Sequence, residues 1–256
     1  MEMTGNTILI TGGGSGIGLG LAERLQGLGN EVIIAGRRKD VLEAAVAAHP
    51  GMQSVTLDVG DAASIEKFGA EAKAQFPSLN VLINNAGIMR PEDLRSEAVG
   101  TADAEAMVAT NLLGPIRLTS ALLPLLKQQA EATVMNVTSG LAFVPLAGYP
   151  TYNATKAAMH SYTESLRYQM KATKVQVIEL IPPYVQTELG GAHQASDPNA
   201  MPLDAFLTEV MEILGSEPTP TEINVERVKP LRFAAQGDGY DAFFTKFNDM
   251  MAAAGH

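Results

Sequence analysis

Short uninterrupted apolar runs alternate along this chain with longer segments of helical spacing. Thr7–Thr11 (TILIT) has no polar alternation and predicts a buried strand. Gly16–Leu28 follows with helical spacing and stops at Gly29-Asn30. Glu31–Gly36 (EVIIAG) predicts a second strand, Lys39–Ala48 a helix closed by His49-Pro50-Gly51, Gln53–Leu57 a third strand and Ala62–Gln75 a third helix. The alternation continues through strand Val81–Asn84, long helix Ala102–Gln129, strand Ala132–Thr138, long helix Pro150–Ala172 and strand Val175–Ile181. Strands of this kind are buried on both faces. Their alternation with helices predicts the α/β class: a doubly wound parallel sheet of about seven strands in three α/β/α layers.

The pattern changes after Ile181. Residues 182–201 are rich in proline, glycine and small polar residues, and an amphipathic segment, Leu203–Leu214, follows. Long excursions in compact domains are commonly functional, so 182–215 is expected to be a substrate-side lid. Thr221–Val225 predicts a short seventh strand and Tyr240–Ala254 a terminal helix. With no internal repeat, residues 1–256 are expected to form a single domain.

Composition narrows the chemistry. The chain has no cysteine, which excludes thiolate metal sites, disulfides and a cysteine nucleophile. The 4 histidines include no clustered pair, so no metal centre is expected. The net charge of −10 argues against a nucleic-acid partner. The N-terminus lacks the basic and apolar regions of a signal peptide. The apolar stretch Leu112–Leu126 is broken by Gly114, Pro115, Arg117 and Pro124. No membrane association is expected, and a cytoplasmic location is.

The first strand runs into Thr11-Gly12-Gly13-Gly14-Ser15-Gly16-Ile17-Gly18, where a helix begins. Glycines let backbone approach a pyrophosphate, and a helix N-terminus supplies free N–H groups. Gly12, Gly14, Ser15, Gly16, Ile17 and Gly18 are therefore candidate cofactor-binding residues. An NAD site places Asp or Glu at the end of the second strand. This chain has Arg37-Arg38, which can pair with a 2′-phosphate, so NADP(H) is preferred over NAD(H). Asp58-Val59 ends the third strand as an expected neighbour of the adenine. There Asp58 accepts from the exocyclic amine or serves as a turn cap.

Tyr152 and Lys156, four apart on a predicted helix, share one face. A nearby ammonium is expected to lower the phenol pKa and fit Tyr152 for acid–base work. Ser139 ends the fifth strand, where parallel sheets bind ligands. Its hydroxyl can position a substrate oxygen, or the segment is a plain turn.

Thr11–Gly18, Asn84-Asn85-Ala86-Gly87, Asn111, Ser139, Tyr152 and Lys156 together resemble the short-chain dehydrogenase/reductase family, in order and at its usual spacings, over essentially the whole chain. Thr138–Phe143, Ala157–Ser161 and Asn224–Val228 are closest to the group associated with D-alanine esterification of teichoic acids, a name that guides chemistry weakly. The resemblance implies a Rossmann-like fold and reversible, NADP(H)-dependent reduction of ketones or aldehydes. Ser139 would orient the carbonyl, Tyr152 act as acid–base, Lys156 bind ribose and tune Tyr152, and Asn111 hold a relay water. Asn85, Ala86 and Gly87 would support the ribose, and Pro182, Val185 and Thr187 would border the nicotinamide. A homodimer or homotetramer is implied by family analogy alone. The same scaffold also serves imine reduction and epimerisation. A catalytically silent regulator would ordinarily lack the Tyr or the Lys.

Three local readings complete the picture. Pro115 has no N–H for the carbonyl four residues back, which leaves the Asn111 carbonyl free for the relay water. Leu141, Phe143, Leu146, Tyr149 and Tyr184 are candidate substrate walls. Pro183 stands where the family usually has glycine, and the segment after the seventh strand lacks the usual Asp-Gly-Gly.

Overall fold

The computed structural model describes residues 1–98 and 100–253. Seven strands form one sheet in the order β3-β2-β1-β4-β5-β6-β7, with every pairing parallel. They are β1 (Thr7–Thr11), β2 (Glu31–Gly36), β3 (Gln53–Thr56), β4 (Leu79–Asn84), β5 (Ala132–Val137), β6 (Val175–Leu180) and β7 (Glu222–Ile223). The helices are α1 (Gly16–Gly27), α2 (Lys39–Ala48), α3 (Ala62–Gln75), α4 (Ala102–Val108), α5 (Gly114–Leu126), α6 (Pro150–Met170), α7 (Leu203–Leu214), α8 (Lys229–Arg232) and α9 (Tyr240–Ala253).

The pleat sends Ile8 and Ile10 of β1 to one face and Leu9 to the other. The first face is covered by Leu21 and Leu25 of α1, Leu42 of α2, and Phe206 and Val210 of α7. The second is covered by Phe68 of α3, Leu118 and Leu122 of α5, and Leu166 of α6. This is the expected three-layer Rossmann-like arrangement. Sheet order reverses between β1 and β4, and ligands bind at such a switch point beyond the carboxyl ends of the strands.

Four expectations need correction. The strand β3 is an exposed edge, because only β2 flanks it. The seventh strand shrinks to Glu222–Ile223. The segment 182–215 is not lid throughout. Its α7 is core: Phe206, Leu207, Val210 and Leu214 are buried, and Leu207 fills the space above Gly20, where an added Cβ would meet it at 2.2 Å. The long helix expected over Ala102–Gln129 is composite, with a π turn at Ala109–Leu113 between α4 and α5.

In that π turn the Gly114 N–H donates to Ala109, five residues back. Regular α-helical spacing resumes with α5 at Gly114, so Pro115 stands at the change of register, and its missing N–H removes a donor from the turn that holds the Thr110 and Asn111 carbonyls. The composite helix Ala102–Leu126 is also long and apolar enough to cross a membrane by length and composition. Here its leucines pack under the sheet and its π turn carries the buried Asn111.

Candidate active site

The glycine turn after β1 forms the floor of the site. Gly12 has φ +66°, and a Cβ on it would lie 2.9 Å from the Ala86 Cα. One on Gly18 would lie 2.3 Å from the Gly12 carbonyl oxygen. Side chains are excluded here by close backbone approach. Ser15 precedes α1 without a side-chain cap, and the first turn of α1 has no acidic residue. Its leading N–H groups thus retain the partial positive charge that suits a phosphate. This cradle fits the pyrophosphate of a dinucleotide. Gly14 packs near Val41, and Ile17 packs on the core.

Neighbouring strand ends are tied to this turn. The Asn85 and Ala86 N–H groups donate to Thr11 Oγ1 at 3.0 and 3.1 Å, and Asn85 Nδ2 donates to the Thr11 carbonyl at 2.9 Å. The Gly13 N–H donates to the Ala35 carbonyl at 3.2 Å, which brings the end of β2 alongside. Arg37 and Arg38 follow, exposed and without an ion pair among the described residues. Asp58 closes a turn, its Oδ1 accepting from the Gly60 N–H at 2.9 Å, and Val59 is buried against Gly114. From β6, Pro182 accepts from the Gly140 N–H at 2.9 Å. Val185 is buried, and the Thr187 methyl carbon lies 3.5 Å from where a Gly16 Cβ would be.

Ser139, Tyr152 and Lys156 meet above this floor, all buried. Pro150 opens α6 in its first turn and so sets Tyr152 and Lys156 on its inner face. Ser139 Oγ accepts from the Leu141 N–H at 3.1 Å and is hydrogen-bonded to the Tyr152 side chain. Lys156 Nζ donates to the Val137 carbonyl at 2.8 Å and lies 5.7 Å from the Tyr152 ring centre. A Cβ on Gly87 would lie 3.8 Å from Lys156 Nζ and 3.4 Å from Asn111 Oδ1, so glycine keeps this corner open. The Asn111 side chain grips Ile88, accepting from its N–H at 2.9 Å and donating to its carbonyl at 2.8 Å.

The electrostatics differ from the expectation of a lowered phenol pKa. Burial pushes Tyr152 up to about 12, and the Ser139 hydrogen bond offsets only part of this. Burial also pulls Lys156 down to about 8, against the attraction of the Glu179 carboxylate. Sequence reasoning underrated the desolvation of both groups.

A second network was missed altogether. Glu179 Oε1, fully buried in β6, accepts from Thr138 Oγ1 at 2.7 Å, and Glu179 Oε2 lies 2.9 Å from His160 Nδ1. The carboxylate pushes His160 upward. Glu222 completes a cluster whose ligand atoms lie within 4.8 Å of one another, and Arg232 supplies the cation there through two bonds of 2.8 Å. Phe143 belongs to this network, and its side chain is not among those lining the cavity beside Tyr152. Its ring meets His160 edge-on at 4.7 Å and carries the Arg232 guanidinium at 4.5 Å. Leu141, Leu146, Tyr149 and Tyr184 do line the cavity beside Ser139 and Tyr152, together with His193 of the excursion after β6 and the unforeseen Met89, Leu231, Phe247 and Met251. The i, i+4 spacing of Phe247 and Met251 was the readable signal for the last two.

A profile of the short chain dehydrogenase family matches residues 6–197. An uncharacterised oxidoreductase, DltE, of Bacillus subtilis (strain 168) is 42% identical over 251 residues, covering 97% of this chain and 98% of its own. A short chain dehydrogenase from Burkholderia cenocepacia J2315, solved with NADP, superposes with TM-score 0.80 at 25% identity, covering 96% of this chain and 98% of that one. An NADPH-bound carbonyl reductase from chicken fatty liver gives TM-score 0.72 at 27% identity, covering 82% and 91%. Other solved proteins of this fold hold NAD or NADH. The family profile and the near full-length relative agree with the parallel sheet and its switch point: the chain belongs to the short chain dehydrogenase family and is an oxidoreductase by descent.

Proposed function

We propose that the protein is an NADP(H)-dependent reductase of ketones or aldehydes, working reversibly on alcohols. The observation that carries this reading is the convergence of Ser139, Tyr152 and Lys156 at one strand end, beside a cradle that excludes side chains.

The cradle residues Gly12 to Gly18 would hold the pyrophosphate. The pair Arg37-Arg38 would take a 2′-phosphate, with Asn85 and Lys156 toward the ribose and Val185 and Thr187 toward the nicotinamide. When bound, the nicotinamide supplies or accepts the hydride. Ser139 donates to the carbonyl oxygen and fixes its position. Tyr152 holds its proton at neutral pH because burial favours the neutral phenol, and it delivers that proton to the oxygen as the bond order falls. In the reverse direction Tyr152 must first become a phenolate, which the Lys156 ammonium and a cationic nicotinamide both favour. The buried setting strengthens each of these charge effects.

The test is a paired assay of NADPH and NADH oxidation with a panel of ketones and aldehydes, using the parent and Tyr152→Phe. Carbonyl-dependent oxidation by the parent and its loss in Tyr152→Phe is expected. No such oxidation by the parent rejects the reading.

A further inference from the structure

We infer that α9 is the outer wall of the substrate chamber, latched in place by Asn248, and that Phe247 and Met251 on it select carbonyl compounds bearing an uncharged apolar substituent. The inference rests on the carbonyl-reduction reading above.

Three hydrogen bonds run from α9 to the backbone of the loop joining Ser139 to α6. Asn248 Oδ1 accepts from the Ala147 N–H at 2.7 Å, and Asn248 Nδ2 donates to the Pro145 carbonyl at 3.1 Å. Tyr240 donates its hydroxyl to the Phe143 carbonyl at 3.2 Å. The opposite side of the loop is pinned by Asn153 Nδ2, which donates to the Leu146 carbonyl at 2.8 Å. Asn248 therefore fixes the distance between α9 and the wall carried by Leu146 and Tyr149.

Phe247 and Met251 share the inner face of α9 and pack on the buried cluster of Leu146, Tyr149 and Tyr152. They line the cavity with Met89, Leu141, Leu189 and Leu231. Among the described residues no Lys, Arg, Asp or Glu lines it, and its polar lining, which includes Ser139, Tyr184, His193 and Gln194, comes from other elements than α9, so a charged substituent lying against Phe247 and Met251 would be desolvated without a partner on that wall. No α9 residue is fully buried.

The test is a series of straight-chain methyl ketones, from propanone to 2-octanone, with kcat and KM measured under saturating NADPH. The parent is expected to gain roughly three- to fourfold in kcat/KM per added methylene while the chain fits, as each CH2 leaves water. Phe247→Ala and Asn248→Ala flatten this gradient to below twofold, mainly through KM. Asn248→Asp, which keeps the acceptor for Ala147, recovers part of it. Lys246→Ala, on the outer face, keeps the parent gradient. If Asn248→Ala fails to fold, Phe247→Ala and Asn248→Asp decide. A parent that reduces ketones without a gradient, or variants that keep the parent gradient, overturn the role of α9 alone. A parent that reduces none of the series overturns the carbonyl reading and this inference with it.

Discussion

Lys156 sits one helical turn beyond Tyr152, with its Nζ 5.7 Å from the phenol ring centre and bonded to the Val137 carbonyl at 2.8 Å. The ammonium is near enough to favour a phenolate, yet both groups are so deeply buried that desolvation dominates each: Tyr152 stands at about 12 and Lys156 at about 8.

That relationship makes the two directions of catalysis differ in pH dependence. Reduction needs the neutral phenol, so kcat/KM for a ketone should be flat from pH 6 to 8. Oxidation needs the phenolate, so kcat/KM for the alcohol should climb with pH over the same range. Lys156→Ala should lower alcohol oxidation by roughly tenfold or more. Initial-rate pH profiles in both directions check this, and pH-independent oxidation would count against Tyr152 as the base.

The buried lysine also marks the stability curve. Its folded pKa of about 8 lies below its ordinary 10.5, so between these values the unfolded chain binds more protons. Stability should rise with pH across that window. Tyr152 acts oppositely above pH 10, because its raised folded pKa adds stability that is lost as pH climbs toward about 12. Urea midpoints should therefore increase from pH 8 to 10 in the parent and not in Lys156→Met.

Breaking the His160–Glu179 pair leaves a carboxylate without its partner in a fully buried place. His160→Ala should cost about 3 kcal/mol. The raised pKa of His160 means its contribution is complete below pH 6.5 and is lost as pH rises through the folded value. Removing the carboxylate in Glu179→Gln should also lower the Lys156 pKa further, since that charge now raises it. Urea unfolding at pH 5.5 and 8, together with the rate profile of Glu179→Gln, checks both. Equal destabilisation by His160→Ala at the two pH values would contradict the pairing.

Arg37 and Arg38 are exposed beside the glycine cradle. Replacing both by alanine should weaken NADPH binding by tenfold or more and change NADH binding by less than threefold. Titration calorimetry with both nucleotides reads the difference, and parallel losses for the two would remove the 2′-phosphate role.

The buried strands, the glycine cradle and the Ser139–Tyr152–Lys156 group were legible because each is local: an apolar run, a glycine spacing, an i, i+4 pair. What escaped depends on contacts distant in sequence. The segment α7 followed a proline- and glycine-rich stretch and read as lid, whereas Leu207 packs into the space left by Gly20. Phe143 stood between Ser139 and Tyr152 and read as a substrate wall, but His160 and Arg232 draw its ring away. Glu179 sits in a run of apolar residues, and its partner His160 is on another element. The raised Tyr152 pKa follows from burial, which spacing along α6 does not reveal.

The most direct measurement uses NADPH deuterated at the transferable position of the nicotinamide, with a ketone that the parent accepts, and mass spectrometry of the alcohol formed. Transfer of one deuterium, as deuteride, to the former carbonyl carbon, in step with NADPH consumed and abolished by Tyr152→Phe, is the predicted result. Consumption of NADPH with no deuterium in the alcohol, or undiminished transfer by Tyr152→Phe, would contradict the account.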